Sequence, residues 1–436
     1  MVTHLVIIAI LAVVVAFFLS HDKITFIFVE KDAVLNQESL ILSGVPNEIS
    51  SSVFCTLSKL GNQECRFQNL CFYNNQYTYY YGKNSKEEGL QSESPFLLDL
   101  SSVRNHNAKY FQFSNRTMTK NTKFHYIRGN TILFHRFNPD NLMHVIHDDL
   151  LPYFHTRRKY FDGKEVTTIF MEGREDGPFY DLYTLFMERI LTERNLTSMT
   201  CFENVIIGVS QEVTWYQYGF HTPQGPINVE NYPTNELLSF KDEFMKRLKM
   251  NMDQSFTLSK VVIFKRQDTR RITNMNELVL KLSMRFKAEV TILDLQEDTF
   301  EDILTAVSNA KLLIGVHGAH LVTSLFLPPG ALLMEIYPYG IPSENYTPYK
   351  TLVSLIGVQY LAFETESEDL STNFIDRPPN QGGIAHLPPH QKEEILNTKR
   401  VPEHLCCDNP FWLFRIYQDT EVDINRFLPL LHGRIS

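Results

Sequence analysis

Between residues 259 and 338 the chain alternates four times between a short apolar run and an amphipathic stretch, and few folds accept that order. SKVVIFKR (259–266), EVTILDL (289–295), KLLIGVHG (311–318) and ALLMEIYP (331–338) have the length and continuous apolar character of strands buried on both faces. NMNELVLKLSMRF (274–286), DTFEDILTAVSNA (298–310) and AHLVTSLFL (319–327) read as helices between them. Parallel strands need a crossover, which such helices supply. The block predicts a doubly wound nucleotide-type domain, here bounded at 255–375.

A looser alternation occupies 96–250. TTIFMEG (167–173) and NVIIGVS (204–210) read as buried strands, DLYTLFMERILTERN (181–195) as the helix between them and LSFKDEFMKRLKM (238–250) as a later helix. With 436 residues there is room for both units, so the fold class is α/β, two Rossmann-like domains facing a cleft. Residues 376–436 start in RPPNQGGIAHLPPH, end past FWLFRIYQ (411–418), and are expected to pack back across the domains.

The N-terminus reads differently. LVIIAILAVVVAFFL (5–19) is uninterrupted and apolar; Val2 and Thr3 extend it towards a span, and no small-x-small cleavage site follows. Residues 1–20 are therefore expected to be a signal anchor, 21–95 a stem passing into irregular structure, and the rest lumenal. Only Lys23 flanks the run, so charge gives that orientation no support. Three glycosylation triplets, at Asn115, Asn195 and Asn345, agree with a lumenal body. Six cysteines allow 15 pairings, which sequence cannot decide, and Cys201 reads as merely buried. A net charge of −9 without a basic stripe argues against a nucleic-acid binder.

Candidate chemistry lies in two places. In NLMHVIHDDLLP (141–152), with Asn138 as cap and Pro139 as first helical residue, Asp140, His144, His147, Asp148 and Leu151 share a face, and Pro152 ends or kinks the helix. Such a stripe could bind a metal, supply a general base, or pair structurally with RRK at 157–159. The second place is the set of strand carboxyl ends. Arg266 and Arg270 follow the first strand of the 255–375 block, the GVHGAH turn (315–320) joins strand to helix, and Glu335 lies in the last strand. Arginine forks, a small-residue turn at a helix start and a carboxylate for sugar hydroxyls suit a nucleotide diphosphate. Neither GxGxxG nor GxxxxGK[ST] is present, and no D-x-D is found, which leans towards arginine and helix-dipole neutralisation while leaving a divalent cation open.

These segments are familiar together. RFNPDNLMHVIHDDLLP (136–152), GVHGAHLVTSLFLPPGALLMEIYPYGIPSENYTPYKTL (315–352), NQGGI (380–384) and HLCCDNPFWLFRIYQDTEVDI (404–424) resemble glycosyltransferase family 61 across about 96–424. Within the family the likeness is strongest to transferases acting on O-linked mannose. It implies a type II membrane enzyme of the endoplasmic reticulum with GT-B architecture. The implied reaction moves N-acetylglucosamine from UDP-GlcNAc, in β-1,4 linkage and with inversion, to O-mannose of a glycoprotein such as α-dystroglycan. Protein O-GlcNAc or xylosyl transfer, or an inactive glycan-binding relative, are the alternatives.

The resemblance puts Arg266, Arg270, His317, Gly318 and Ala319 at the nucleotide sugar, to which the reading of the strand ends adds Glu335. His147, Asp148 and Asp149 are the catalytic candidates, and His144, Tyr349 and Lys350 belong on the acceptor side. No metal ligand is assigned. Two departures bear on the expectation. Relatives carry a C-terminal fibronectin type III domain without counterpart in these 436 residues, which touches acceptor-protein recognition more than chemistry. Position 320 is usually Gln and here is His, so His320 receives no role.

Overall fold

Strand residues of the C-terminal half alternate between two cores, and that alternation organises the molecule. The computed structural model describes residues 49–57, 63–88, 96–103, 106–114, 122–196, 198–220, 223–227, 229–250, 260–294 and 296–435, all in one compact unit. The expected anchor (1–20), the stem as far as residue 48 and Asn115 lie outside them. Among the described residues no helix is long and apolar enough to cross a membrane.

The N-terminal sheet has ten strands: β1 (Ser52–Leu57), β2 (Gln63–Tyr73), β3 (Gln76–Tyr80), β4 (Glu87–Glu88), β5 (Phe96–Asp99), β6 (Ala108–Ser114), β7 (His125–Phe134), β8 (Val166–Phe170), β9 (Arg189–Thr192) and β10 (Thr200–Ile207). Its order is β5-β6-β3-β2-β10-β7-β8-β9, with β1 on β2 and β4 on β1. Strands β10, β7, β8 and β9 are parallel, whereas β2 meets β10 antiparallel. Residues 52–88, expected as irregular stem, thus supply four strands. Their alternating buried pattern, as in Gln76–Tyr80, is half-buried sheet that the polar stretch around them obscures. Two disulfides join directly opposed residues, Cys55–Cys65 between β1 and β2 and Cys71–Cys201 between β2 and β10. Cys201 is therefore cross-linked as well as buried.

The C-terminal sheet is wholly parallel: β11 (Lys260–Lys265), β12 (Glu289–Asp294), β13 (Leu312–Val316), β14 (Leu332–Tyr337) and β15 (Gln359–Glu364), in the order β12-β11-β13-β14-β15. The helices in chain order are α1 (142–161), α2 (Tyr180–Phe186), α3 (Thr234–Arg247), α4 (Met275–Phe286), α5 (Phe300–Ser308), α6 (Pro348–Leu355), α7 (Pro389–Asn397), α8 (Pro410–Ile416) and α9 (Ile424–Leu430). Val261, Ile263, Leu312, Ile314 and Met334 face α4 and α9. Val262, Phe264, Leu313 and Leu333 face the other way, onto α5, α6 and Ala319–Phe326. The same core takes in Ile132, Phe134 and Phe170 of the first sheet with α1, α2 and α3, so both sheets contribute to one apolar interior. Full burial of each such side chain contributes about 1.5–3 kcal/mol before chain entropy is counted.

Three local expectations change. Residues 181–195 form a helix only to Phe186, because Ile190, Leu191 and Thr192 pair with β8 as β9. Residues Ala319–Phe326 coil as a 3-10 helix. A fifth parallel strand, β15, extends the sheet beyond the sequence block, and its half-buried residues at the edge carry a weak apolar signal.

Candidate active site

Helix α1 is capped by Asn141, whose side chain accepts from the Met143 N–H (3.0 Å). Asn138 accepts instead from the Asp140 N–H (3.3 Å), a local turn that leaves Pro139 and Asp140 before the helix. From Val145 to Leu150 the helix widens into a π segment, then continues as α-helix from Leu151 to Phe161. Pro152 sits inside it. Its missing N–H would have served the Asp148 carbonyl, which accepts from the Ser102 hydroxyl instead (2.8 Å).

The π segment gathers the polar stripe around Asp148. One carboxylate oxygen accepts from His144 Nδ1 (2.7 Å) and the Tyr218 hydroxyl (2.7 Å), the other from His147 Nδ1 (2.8 Å). Burial would raise the Asp148 pKa, but the neighbouring His147 and His144 outweigh it and hold the carboxyl well below the usual range. Burial and the Asp148 charge push the Tyr218 phenol far up, so it remains a donor. His147 Nε2 accepts from the Trp215 backbone N–H (3.0 Å), which makes Nδ1 its protonated nitrogen. His147 is fully buried with both nitrogens engaged. Asp149 accepts from the Tyr183 hydroxyl (2.6 Å) and the Phe137 N–H (2.9 Å), and burial pushes its pKa well up.

Of the four titratable groups, His144 alone is partly open, at 16% side-chain exposure against 0–1% for His147 and Asp148. Its ring lies beside Phe137 (4.8 Å) and Tyr218 (4.8 Å), and the half-exposed Phe220 and His106 extend this aromatic rim (5.0 Å apart). RRK at 157–159, weighed above as the stripe's structural partner, pairs elsewhere, with Glu188, Glu236, Glu64 and Glu212.

The second cluster sits at the carboxyl ends of β11 and β13, where the strand order of the parallel sheet reverses. Arg266 donates to the Thr269 carbonyl (3.1 Å) and to His320 Nδ1 (3.0 Å). Arg270 donates to the His317 carbonyl (2.9 Å) and lies over the Tyr417 ring (4.8 Å). All these acceptors are neutral, and among the described residues no carboxylate pairs with either arginine. Burial and the adjacent Arg270 lower the Arg266 pKa to about 9, so it stays charged at neutral pH. Arg270 Nε and His320 Nε2 are buried without a partner. His320 is held neutral by burial and by the arginines, so it accepts through Nδ1 and offers an N–H from Nε2. Arg270 also adopts left-handed backbone (φ 56°), a strained state for a non-glycine residue. A cavity of about 390 Å3 opens here, lined among others by Arg266, Arg270, His320, Asp294 and Tyr417.

Gly318 makes the cluster fit. A Cβ there would stand 2.9 Å from Arg270 Nη1 and 3.0 Å from Arg266 Nη1. Ala319 is half-buried at the start of the 3-10 turn. Glu335 is fully buried, bonded to His317 Nδ1 (2.6 Å) and the Tyr360 hydroxyl (2.7 Å). It is therefore placed to orient His317 rather than to meet a sugar hydroxyl itself.

Trp215 and Tyr349 connect the clusters. The Trp215 backbone holds His147, and its indole N–H donates to the Pro348 carbonyl (3.0 Å). The next residue, Tyr349, packs 5.6 Å from the His317 ring and feels both Arg270 and Arg266. Lys350 is exposed. Asn195 is exposed and accepts from the Thr192 N–H; Asn345 is half-buried. Sequence reasoning missed Trp215, Tyr218, His320 and Tyr417. Trp215 and Tyr218 lie in irregular backbone without periodicity; only the density of aromatics in VTWYQYGF (213–220) marked it.

The family model Glycosyltransferase 61 matches residues 142–334, from the first turn of α1 to within β14. The chain is 39% identical to the protein O-linked-mannose beta-1,4-N-acetylglucosaminyltransferase 2 of Takifugu rubripes over 416 residues, covering 89% of this chain and 70% of that one. Identity to the Xenopus laevis protein of the same name is 37%, covering 94% and 75%, and to that of Mus musculus 40%, covering 86% and 68%. Among solved structures, E. coli heptosyltransferase WaaC with ADP is similar at a TM-score of 0.25 and 9% identity, over 54% of this chain and 91% of that chain.

Proposed function

The chain belongs to glycosyltransferase family 61, and on that basis we propose that it transfers N-acetylglucosamine from UDP-GlcNAc, in β-1,4 linkage, to O-linked mannose of a glycoprotein. It is a glycosyltransferase by family; the names of its relatives support the sugar and the acceptor. The reading rests on one observation above the rest, two buried arginines beside Gly318 with which no carboxylate forms an ion pair among the described residues. Burying a charge costs several kcal/mol unless it is compensated, and a diphosphate brings the missing negative charge.

The reaction is a single displacement at the anomeric carbon. The acceptor hydroxyl attacks, its proton passes to His144 Nε2, and the sugar–phosphate bond breaks to release UDP. Asp148 fixes the His144 tautomer through Nδ1 and stabilises the imidazolium that forms, which a carboxylate–histidine pair does well. Arg266, Arg270 and the His320 Nε2–H take up charge on the leaving diphosphate. The exposed ring of Phe220, packed on Phe137 next to His144, offers the acceptor sugar an apolar surface. His147 and Asp149, already saturated, hold the helix rather than the proton. The two lobes are read as a GT-B pair. Two disulfides support an oxidising lumen, and we place the reaction in the endoplasmic reticulum.

The test is release of UDP from a panel of UDP-sugars, with and without O-mannosyl peptide and with and without EDTA. UDP-GlcNAc with O-mannosyl peptide is expected to give the fastest turnover. Equal turnover with unmannosylated peptide would overturn the acceptor assignment.

A further inference from the structure

Four of the six cysteines are in disulfides; Cys406 and Cys407 are adjacent, half-buried and outside both cross-links. Their sulfurs stand 2.6 Å apart, and Cys407 takes left-handed backbone (φ 63°), which brings two neighbouring side chains to the same side of the chain. Both sulfurs rest on the Tyr218 carbonyl, at 3.3 and 3.4 Å, and Cys406 Sγ would lie 3.4 Å from a Cβ on Gly219. The segment is anchored on its other side, where the Tyr346 hydroxyl donates to the Leu405 carbonyl (2.7 Å). Tyr218 is also the residue whose hydroxyl donates to Asp148 and touches His147.

We propose that Cys406 and Cys407 close a vicinal disulfide, which gives up both S–H donors but keeps the sulfurs packed as a rigid ring on the Tyr218–Gly219 backbone and thereby positions the Asp148–His144 pair. The cross-link is a claim about this segment alone; its effect on turnover rests on the reading of His144 as base. The S–H of Cys407, shared with Cys406, lowers the Cys406 thiol and raises that of Cys407, so Cys406 is the sulfur that ionises first. Its thiolate attacks a low-molecular-weight disulfide of the glutathione type and expels one thiolate. Cys407 then loses its proton to solvent and attacks the Cys406 sulfur, expelling the second thiolate. The protein gives up two electrons and two protons, and the oxidant becomes two thiols. A chain that has already formed two disulfides has met such an oxidant.

The experiment uses the full chain purified without reductant. After digestion, the peptide carrying residues 406–407 should be lighter by two hydrogens than the dithiol and should refuse alkylation until reduced. Both cysteines alkylating without reduction would overturn the cross-link. The Cys406→Ser/Cys407→Ser double variant should lose about 10-fold in kcat with the KM for UDP-GlcNAc unchanged. A double variant with wild-type kcat would overturn the clamp. If that variant does not fold, wild-type protein gently reduced and alkylated at these two positions replaces it, with the same outcomes. His144→Ala in parallel separates the two failures, because a base assignment that is wrong leaves its kcat intact whereas the mass of the peptide does not depend on it.

Discussion

On α1, Asp148 takes hydrogen bonds from His144, His147 and Tyr218, and Asp149 takes two more, so that cluster's carboxylates are satisfied inside the protein. At the sheet crevice, among the described residues, Arg266 and Arg270 find only carbonyls, an imidazole and a ring as contact partners, and two N–H groups remain without an acceptor. Both clusters are buried. The first is complete before any substrate arrives, as a proton-transfer device must be to hold one tautomer and one orientation. The second is incomplete, as a binding site for an anion must be. A buried charge that the fold leaves unpaired points to a ligand more strongly than one it pairs.

The contrast breaks most visibly at Arg270. Replacing it with Ala removes a buried, uncompensated charge, so the unligated protein should melt no lower than wild type, while transfer falls by about 10²–10³-fold. Thermal denaturation with and without UDP reads the first and UDP release from UDP-GlcNAc the second, and an Arg270→Ala protein that UDP still stabilises normally would sink the cradle. On α1 the expectation is reversed in its donor dependence. His144→Ala should lower kcat by about 10²-fold, with stabilisation by UDP intact. Loss of UDP binding in that variant would mean that the helix belongs to the donor side.

Gly318 sharpens the comparison at smaller scale. The added methyl of Gly318→Ala must displace two guanidinium ends standing 2.9 and 3.0 Å away. Arginine side chains are long and can yield, so the expected cost is about 10-fold in the KM for donor, without a change in the acceptor KM. A rise confined to the acceptor KM would place the wrong substrate in the cradle.

How much of this was legible depended on periodicity. The run Val261–Phe264 and its parallel partners announce themselves, because strands buried on both faces are continuous and apolar. Strands such as Gln76–Tyr80, buried on one face among polar residues, do not. The arginines and Gly318 were visible because strand ends fix where ligands sit. Their unpaired state was not, since the missing carboxylate is a fact of packing. On α1 the stripe was visible and its order of exposure was not. A regular helix would put His144, His147 and Asp148 on one face alike, whereas the π segment and the Trp215 loop bury His147 and leave His144 open.

The smallest effect concerns the residue that ties the two clusters together. Trp215 holds His147 through its backbone and reaches the Pro348 carbonyl through its indole. Trp215→Phe keeps the backbone bond and most of the ring packing against His147, 4.1 Å between centroids, and deletes only the indole N–H. The Pro348 carbonyl then loses its donor, at a cost of about 1–3 kcal/mol in stability. Because the α1 cluster and the cradle each keep their own bonds, turnover should fall only about 2- to 5-fold, in kcat rather than in either KM. Denaturant midpoints and steady-state rates on the one variant measure both. A loss of turnover as deep as that of His144→Ala would show that the link between the clusters, and not each cluster by itself, sets the geometry of transfer.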